Sequence, residues 1–342
     1  MPTVLTEPKL VLKGHSYWVR SVCWSPDGEL IATACADKSL RVFNATGREM
    51  YKVAHPDWVW CVAFSYTAKK QRLATSCLDG RVRLLEASTG REIIQMKDHS
   101  NTVNSIAFSG DGSLVLSGSY DKTAKLFTVA DGKVKVTLGG HTCPVLSVAF
   151  VGSSRAAVGS ASGELRVSDL AGRTLHSCQA HAGPVLSISV SGEGELLATA
   201  GTDKLARVWR VREDASVESE ATCKHASEVN CVLFSPDGLL FATAAADGHV
   251  RVYEAGREWE ELARLKRHSD EANALSFNAK GSRVLLASAS DDRSAAVWDI
   301  SGTAVALRVA KARAKTPGGN APKKTEESEV SVGDQADMEG LD

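Results

Sequence analysis

Seven of the nine histidines recur along the chain at nearly equal steps. His15, His55, His99, His141, His181, His225 and His268 are separated by 40, 44, 42, 40, 44 and 43 residues. That period fits one four-stranded sheet per repeat and exceeds the roughly 33–34 residues of helical-pair repeats. Each histidine opens the same succession. Four residues on comes a β-branched or small residue and a short strand, such as Val19–Trp24 or Val229–Phe234. A turn follows, Ser25-Pro26-Asp27-Gly28, Gly110-Asp111-Gly112 or Ser235-Pro236-Asp237-Gly238. Proline presets φ and glycine accepts positive φ, which is hairpin chemistry. A second strand (Leu30–Ala34, Leu196–Ala200), an acidic turn, a third strand (Arg41–Phe43, Arg207–Trp209) and a glycine-marked turn to a fourth complete the unit. Strands this short and regular predict an all-β ring with no room for crossover helices.

Other features fit a globular binding protein. Hydrophobic residues make up 43% of the 342 and charged residues 24%, enough for a large core. Forty basic residues against 41 acidic ones give no global field for nucleic acid or membrane. Met1–Leu12 holds no signal-peptide run, and no segment reaches the length of a membrane span. Eight cysteines are scattered without a C-x-x-C pair, which predicts reduced, mostly buried thiols in an intracellular protein, cytoplasmic or nuclear, with no metal site.

The repeat resembles the WD40 family over residues 7 to about 309. The pairs Gly14-His15, Gly140-His141 and Trp298-Asp299 carry the resemblance, with Phe43-Asn44, Leu85-Glu86, Phe127-Thr128, Ser168-Asp169, Trp209-Arg210 and Tyr253-Glu254 in register. It implies a seven-bladed β-propeller with four antiparallel strands per blade, spanning residues 1–309. It also implies a hydrogen-bonded tetrad of aspartate, histidine, hydroxyl and tryptophan in each blade. Six residues before the aromatic position stand Asp37, Asp79, Asp121, Asp203, Asp247 and Asp292. Four further back stand Thr33, Thr75, Ser117, Thr199, Thr243 and Ser288. All four members occur only in blade five (His181, Thr199, Asp203, Trp209) and blade seven (His268, Ser288, Asp292, Trp298). Blade four has Val158, Ser162 and Ser168 instead, which leaves His141 alone and predicts a less rigid blade.

Residues 8–12 precede the first histidine as a fourth strand should, so they are expected to complete the last blade and remove open sheet edges; residues 303–309 compete for that place. From residue 310 to 342 the pattern stops. Lys311, Arg313, Lys315, Lys323 and Lys324 come first, then seven acidic residues from Glu326 to Asp342. Few large apolar side chains are present to offset ordering entropy, which predicts a disordered tail.

No catalytic set emerges. The repeat consumes seven histidines, and His176 and His249 lack a nucleophile–base–orienter spacing. No phosphate loop, H-E-x-x-H or dinucleotide fingerprint is present, so neither an enzyme nor a cofactor site is predicted.

Propellers of the resembled family bind through the face bearing the histidine loops. The position after the conserved valine reads Arg20, Trp60, Asn104, Leu146, Leu186, Asn230 and Asn273. The residue before each acid reads Ala36, Leu78, Tyr120, Ala161, Thr202, Ala246 and Asp291. Trp24 falls on a core strand and Trp259 on an outer one, whereas Trp18, Trp58 and Trp60 crowd the loops of blades one and two. Tyr, Trp and Arg dominate interface energetics. The expected docking patch is therefore Tyr17, Trp18, Arg20, Trp58, Trp60 and Tyr120, used by a monomeric propeller as scaffold or adaptor in a multiprotein complex. Its partners would be proteins or peptides. Nucleic acid would be reached indirectly or through the basic half of the tail, as in an RNA-processing or chromatin subunit. A channel-mouth enzyme is the third reading. Sandwiching an inserted arginine requires two opposed aromatic faces, and the mouth positions facing Trp60 are Leu186 and Asn230.

Overall fold

The computed structural model describes residues 2–65, 71–192, 194–256, 258–280 and 283–301. Twenty-nine strands and no helix are present among them. The segment 303–309 and the charged tail lie outside the described residues.

The strands form seven antiparallel sheets arranged as a ring. Blade one comprises Val19–Trp24, Leu30–Cys35, Ser39–Asn44 and Glu49–Ala54, from the channel outward, and blades two to six repeat this order. The hairpin joining the first two strands is made by its own side chains. Ser25 Oγ donates to Asp27 at 2.6 Å and accepts from the Leu30 amide at 2.9 Å, while Gly28 turns the chain at φ 70°. Ser109-Asp111 and Ser235-Asp237 build the same turn.

Sequence pattern fixes each strand's depth. Second strands such as Leu30-Ile-Ala-Thr-Ala-Cys35 are buried along almost their whole length, because both faces meet a neighbouring blade. Outer strands such as Glu49–Ala54 are exposed on alternate residues. The core is accordingly not central. It is divided into seven apolar clusters, each drawn from two adjacent blades. Small hydroxyls stitch the innermost strands together across these seams: Ser21 Oγ accepts from the Val62 amide at 3.3 Å, Ser105 Oγ from Val148 at 3.2 Å and Ser187 Oγ from Val232 at 3.3 Å.

The N-terminal strand closes the ring. Leu10, Val11 and Leu12 pair antiparallel with Val297, Ala296 and Ala295, completing blade seven, and Leu12 is buried in the cluster between blades seven and one. Ser276 Oγ accepts from the Trp24 amide at 2.9 Å across that seam. An additional strand was not legible in the sequence: Thr3–Leu5 runs parallel to Ala263–Leu265 as a fifth strand on blade six. Trp259 lies in the turn ahead of the outer strand Glu261–Lys266 rather than on it. With φ 51°, its ring meets Phe241 edge-on at 5.7 Å.

Candidate functional site: the channel mouth and the histidine loops

Blade five carries all four members of the relay. His181 Nδ1 stands 2.8 Å from Asp203 and 2.7 Å from the Arg207 guanidinium, which also donates to Asp203 at 2.7 Å. Its Nε2 lies 2.8 Å from the Thr199 hydroxyl, whose oxygen accepts from the Trp209 indole at 2.9 Å. Blade seven repeats the chain through Asp292, His268, Ser288 and Trp298 at 2.8, 2.7 and 3.0 Å. Blades one and three make the first two links, with Phe43 and Phe127 at the tryptophan position.

Blades two and six depart from the spacing-based assignment. Asp79 is held by Arg83 at 2.6 and 3.2 Å and Asp247 by Arg251 at 2.5 and 3.4 Å. His55 and His225 turn Nδ1 to the backbone carbonyls of Val53 and Cys223. A signal for this exists two residues after each acid. Ser39, Thr123 and Ser294 donate a hydroxyl to Asp37, Asp121 and Asp292, which holds those carboxylates facing the imidazole. Arg81 and His249 occupy that position in blades two and six and supply no hydroxyl, and Arg83 and Arg251 take those acids; blade five also lacks the hydroxyl, at Leu205, and there Asp203 bonds both His181 and Arg207.

Blade four lacks the relay. His141 Nδ1 is buried without a hydrogen-bond partner, and the nearest carboxylate, Glu164, stands 3.9 Å away and bonds to Arg166 instead. Burial, aided by the Arg166 charge, pushes the His141 pKa down to about 4. A charge-assisted hydrogen bond contributes about 1.5–3 kcal/mol. Amides of residues 145–169 should therefore exchange with solvent about tenfold or more faster than those of 185–211. Equal protection of the two blades in hydrogen-exchange mass spectrometry would contradict this.

The channel mouth has its own geometry. Every innermost strand slips register by one residue at the same place, between Val19 and Ser21, Val59 and Cys61, and so on to Ala272 and Ala274. A β-bulge leaves one residue outside the ladder and re-aims its side chain. The residues so released are Arg20, Trp60, Asn104, Leu146, Leu186, Asn230 and Asn273. Arg20 lies with its guanidinium carbon 4.9 Å from the centre of the Trp60 ring and reaches across the ring closure to Asn273 at 3.3 Å and Asp291 at 3.2 Å. Asn273 in turn donates to Asp291 at 2.5 Å, and Asn230 to Glu271 at 3.2 Å. Burial raises the Asp291 pKa against the opposing pull of Arg20 and Asn273. The Trp60 face is thus covered by the chain's own arginine.

Above this network the aromatic rings form a continuous series. Tyr17 meets Trp18 at 4.6 Å and Trp58 at 5.9 Å; Trp58 meets Trp18 edge-on at 6.0 Å and Trp60 at 6.2 Å. Tyr17 is exposed, and Trp18, Trp58 and Trp60 are half-buried. Tyr120, exposed on blade three, stands outside the stacked series. Asp291 and Asn273, which anchor Arg20, were not among the expected patch residues. Their role depends on which residues face each other where the chain's two ends meet, and linear spacing does not carry that information.

His15, Cys35 and Asp37 place their ligand atoms within 4.8 Å of one another. Each is already engaged. His15 bonds Asp37 and Thr33, and the Cys35 thiol, raised to about 12 by burial, faces the Tyr17 carbonyl at 3.2 Å. All eight cysteines are free. His176 lies on the outer strand Thr174–Gln179, and His249 sits with Nδ1 3.3 Å from Asp247; among the described residues neither ring bonds a hydroxyl or thiol.

Relatives align over most of the chain. It is 28% identical over 292 residues to a guanine nucleotide-binding protein subunit beta of Arabidopsis thaliana, 76% of each chain. Identity is 24% over 262 residues with a Periodic tryptophan protein 2 homolog of Dictyostelium discoideum, taking in 75% of this chain and 24% of that protein. With a U3 small nucleolar RNA-associated protein 15 homolog of Xenopus tropicalis it is 27% over 231 residues, 66% of this chain and 44% of that one. The family model described as WD domain, G-beta repeat matches residues 6–44, 48–85, 90–128, 172–210, 218–254 and 259–299, leaving unmatched the stretch that holds most of the divergent fourth blade. On these matches, together with seven blades in a closed ring, six of four strands and one of five, the chain belongs to the WD40 repeat family.

Proposed function

We infer that the protein is a non-enzymatic scaffold or adaptor that joins an intracellular multiprotein complex, in the cytoplasm or nucleus, through the upper face of blades one and two. The observation that carries this reading is the half-exposed aromatic series Tyr17–Trp18–Trp58–Trp60, backed by Arg20 and its anchor Asp291. A rigid aromatic platform of this kind gives large contact area at low entropic cost, the usual make-up of an interface hot spot. Six of the seven repeat imidazoles support it indirectly, since blade hydrogen bonds occupy them.

Affinity purification of the full chain followed by mass spectrometry tests the reading. Trp60→Ala should weaken the recovered partner by about 2 kcal/mol or more. Retention of every partner at wild-type affinity would overturn it. A second reading, a subunit of an RNA-processing complex, is favoured by the likeness to the Xenopus U3 small nucleolar RNA-associated protein 15 homolog and by the basic stretch from Lys311 to Lys324. RNA binding that falls steeply with salt and disappears on removing residues 310–342 would support that reading over the first.

A further inference from the structure

A cleft of about 410 Å³ opens beside the ring closure, between the loop entering blade one and the turn of blade seven. Lys13, Arg267 and Arg293 line it with the polar groups of Ser269 and Ser294. All three cations are exposed, and none makes an ion pair among the described residues. Asp292, the one carboxylate on the wall, is turned inward. It accepts from His268 at 2.8 Å, from the Ser294 hydroxyl at 2.6 Å and from the Ser269 amide at 3.4 Å. Three exposed cations lining one concavity, with a single committed carboxylate on its wall, suit a compact anion.

The surroundings limit which anion fits. Asp270, Glu271 and Asp291 flank the cleft on the same loops, so an extended polyanion would run from the cations onto carboxylates. A single dianionic group meets no such repulsion. The loop from Lys13 also carries Tyr17 and Trp18, and the turn bearing Arg293 carries Asp291, the anchor of Arg20. One short peptide could therefore engage the cleft and the aromatic series together.

We propose that this cleft binds a phosphorylated side chain of a protein partner, beside the aromatic platform that holds its apolar residues. The proposal deepens the adaptor reading and rests on it for the identity of the partner.

Arg293 offers a clean variant. The residue after the turn acid has positive φ in every blade and is glycine in blades two, four and six, so Arg293→Gly removes the charge at φ 68° without backbone strain. The full chain is titrated calorimetrically with O-phospho-L-serine and with inorganic phosphate. Saturable binding is expected, weakened about tenfold by each of Lys13→Ala, Arg267→Ala and Arg293→Gly, with melting temperatures near wild type. No saturable binding, or binding that the triple variant retains, would overturn the proposal. A twelve-residue oligouridine that binds more tightly than phosphoserine and is lost in the triple variant would also overturn it, in favour of nucleic acid. Lys133→Ala, at an exposed lysine of blade three, should leave phosphoserine binding unchanged. Should Trp60→Ala abolish partner recovery while the wild-type chain ignores phosphoserine, the cleft proposal fails and the adaptor reading stands.

Discussion

Replacing Trp298 by alanine should lower the unfolding free energy by about 3–5 kcal/mol, the range for removing a large aromatic from a packed core. Trp298 is 1% exposed and belongs to the apolar cluster between blades six and seven. Its indole also ends the relay through Ser288 and His268 to Asp292. Two effects are combined in the alanine variant, and phenylalanine separates them. Phe43 and Phe127 hold this position in blades one and three, where the histidine–hydroxyl bonds remain at 2.7 Å. Trp298→Phe should therefore forfeit little more than one hydrogen bond, about 1 kcal/mol. Urea denaturation followed by far-UV circular dichroism measures both. A Trp298→Ala midpoint equal to wild type would mean that blade seven contributes little to holding the ring shut.

Particular residues show why some of this was legible and some was not. The histidine spacing predicted the blades, because a chain that returns to one geometry every 40–44 residues must repeat the side chains that geometry demands. Closure by Leu10–Leu12 was legible for the same reason, as a fourth strand standing ahead of the first repeat. Thr3–Leu5 was not: three residues are too few for a periodic pattern, and the parallel partner lies about 260 residues away. The partners of the turn acids were half legible. Asp79 and Asp247 stand at the same spacing as Asp37, yet they go to arginines; they lack the hydroxyl two residues on that holds Asp37, but so does Asp203, which bonds its histidine and its arginine together. At the mouth, the sequence placed Arg20 and Trp60 at equivalent positions of adjacent blades. Their mutual contact depends on the bulge that turns both side chains out of the ladder.

Lowering the pH should destabilise the ring in two stages, and the first should begin well above the carboxylate range. Burial, with the neighbouring Arg166 and Arg251 charges, pushes His141 and His225 from 6.5 down to about 4. Burial also lowers His55, His99 and His181. A histidine that is harder to protonate when folded lets the unfolded chain bind more protons below pH 6.5, so stability falls as the pH drops from about 6.5 to 4. The cost for His141 or His225 is on the order of 3 kcal/mol at the bottom of that window. Below it the second stage begins. Hydrogen bonds from His268 and Ser294 outweigh burial to hold Asp292 at about 2, and Arg251 holds Asp247 there. Their contribution is complete above 3.8 and is lost as the pH falls toward 2. Urea midpoints between pH 7 and 4.5 test the first stage, and His141→Gln isolates one imidazole, because it removes a titrating ring that has no Nδ1 bond to lose. The variant should be less pH-sensitive than wild type in this range. If wild type and His141→Gln lose stability in parallel down to pH 4.5, the buried ring of blade four is not held neutral.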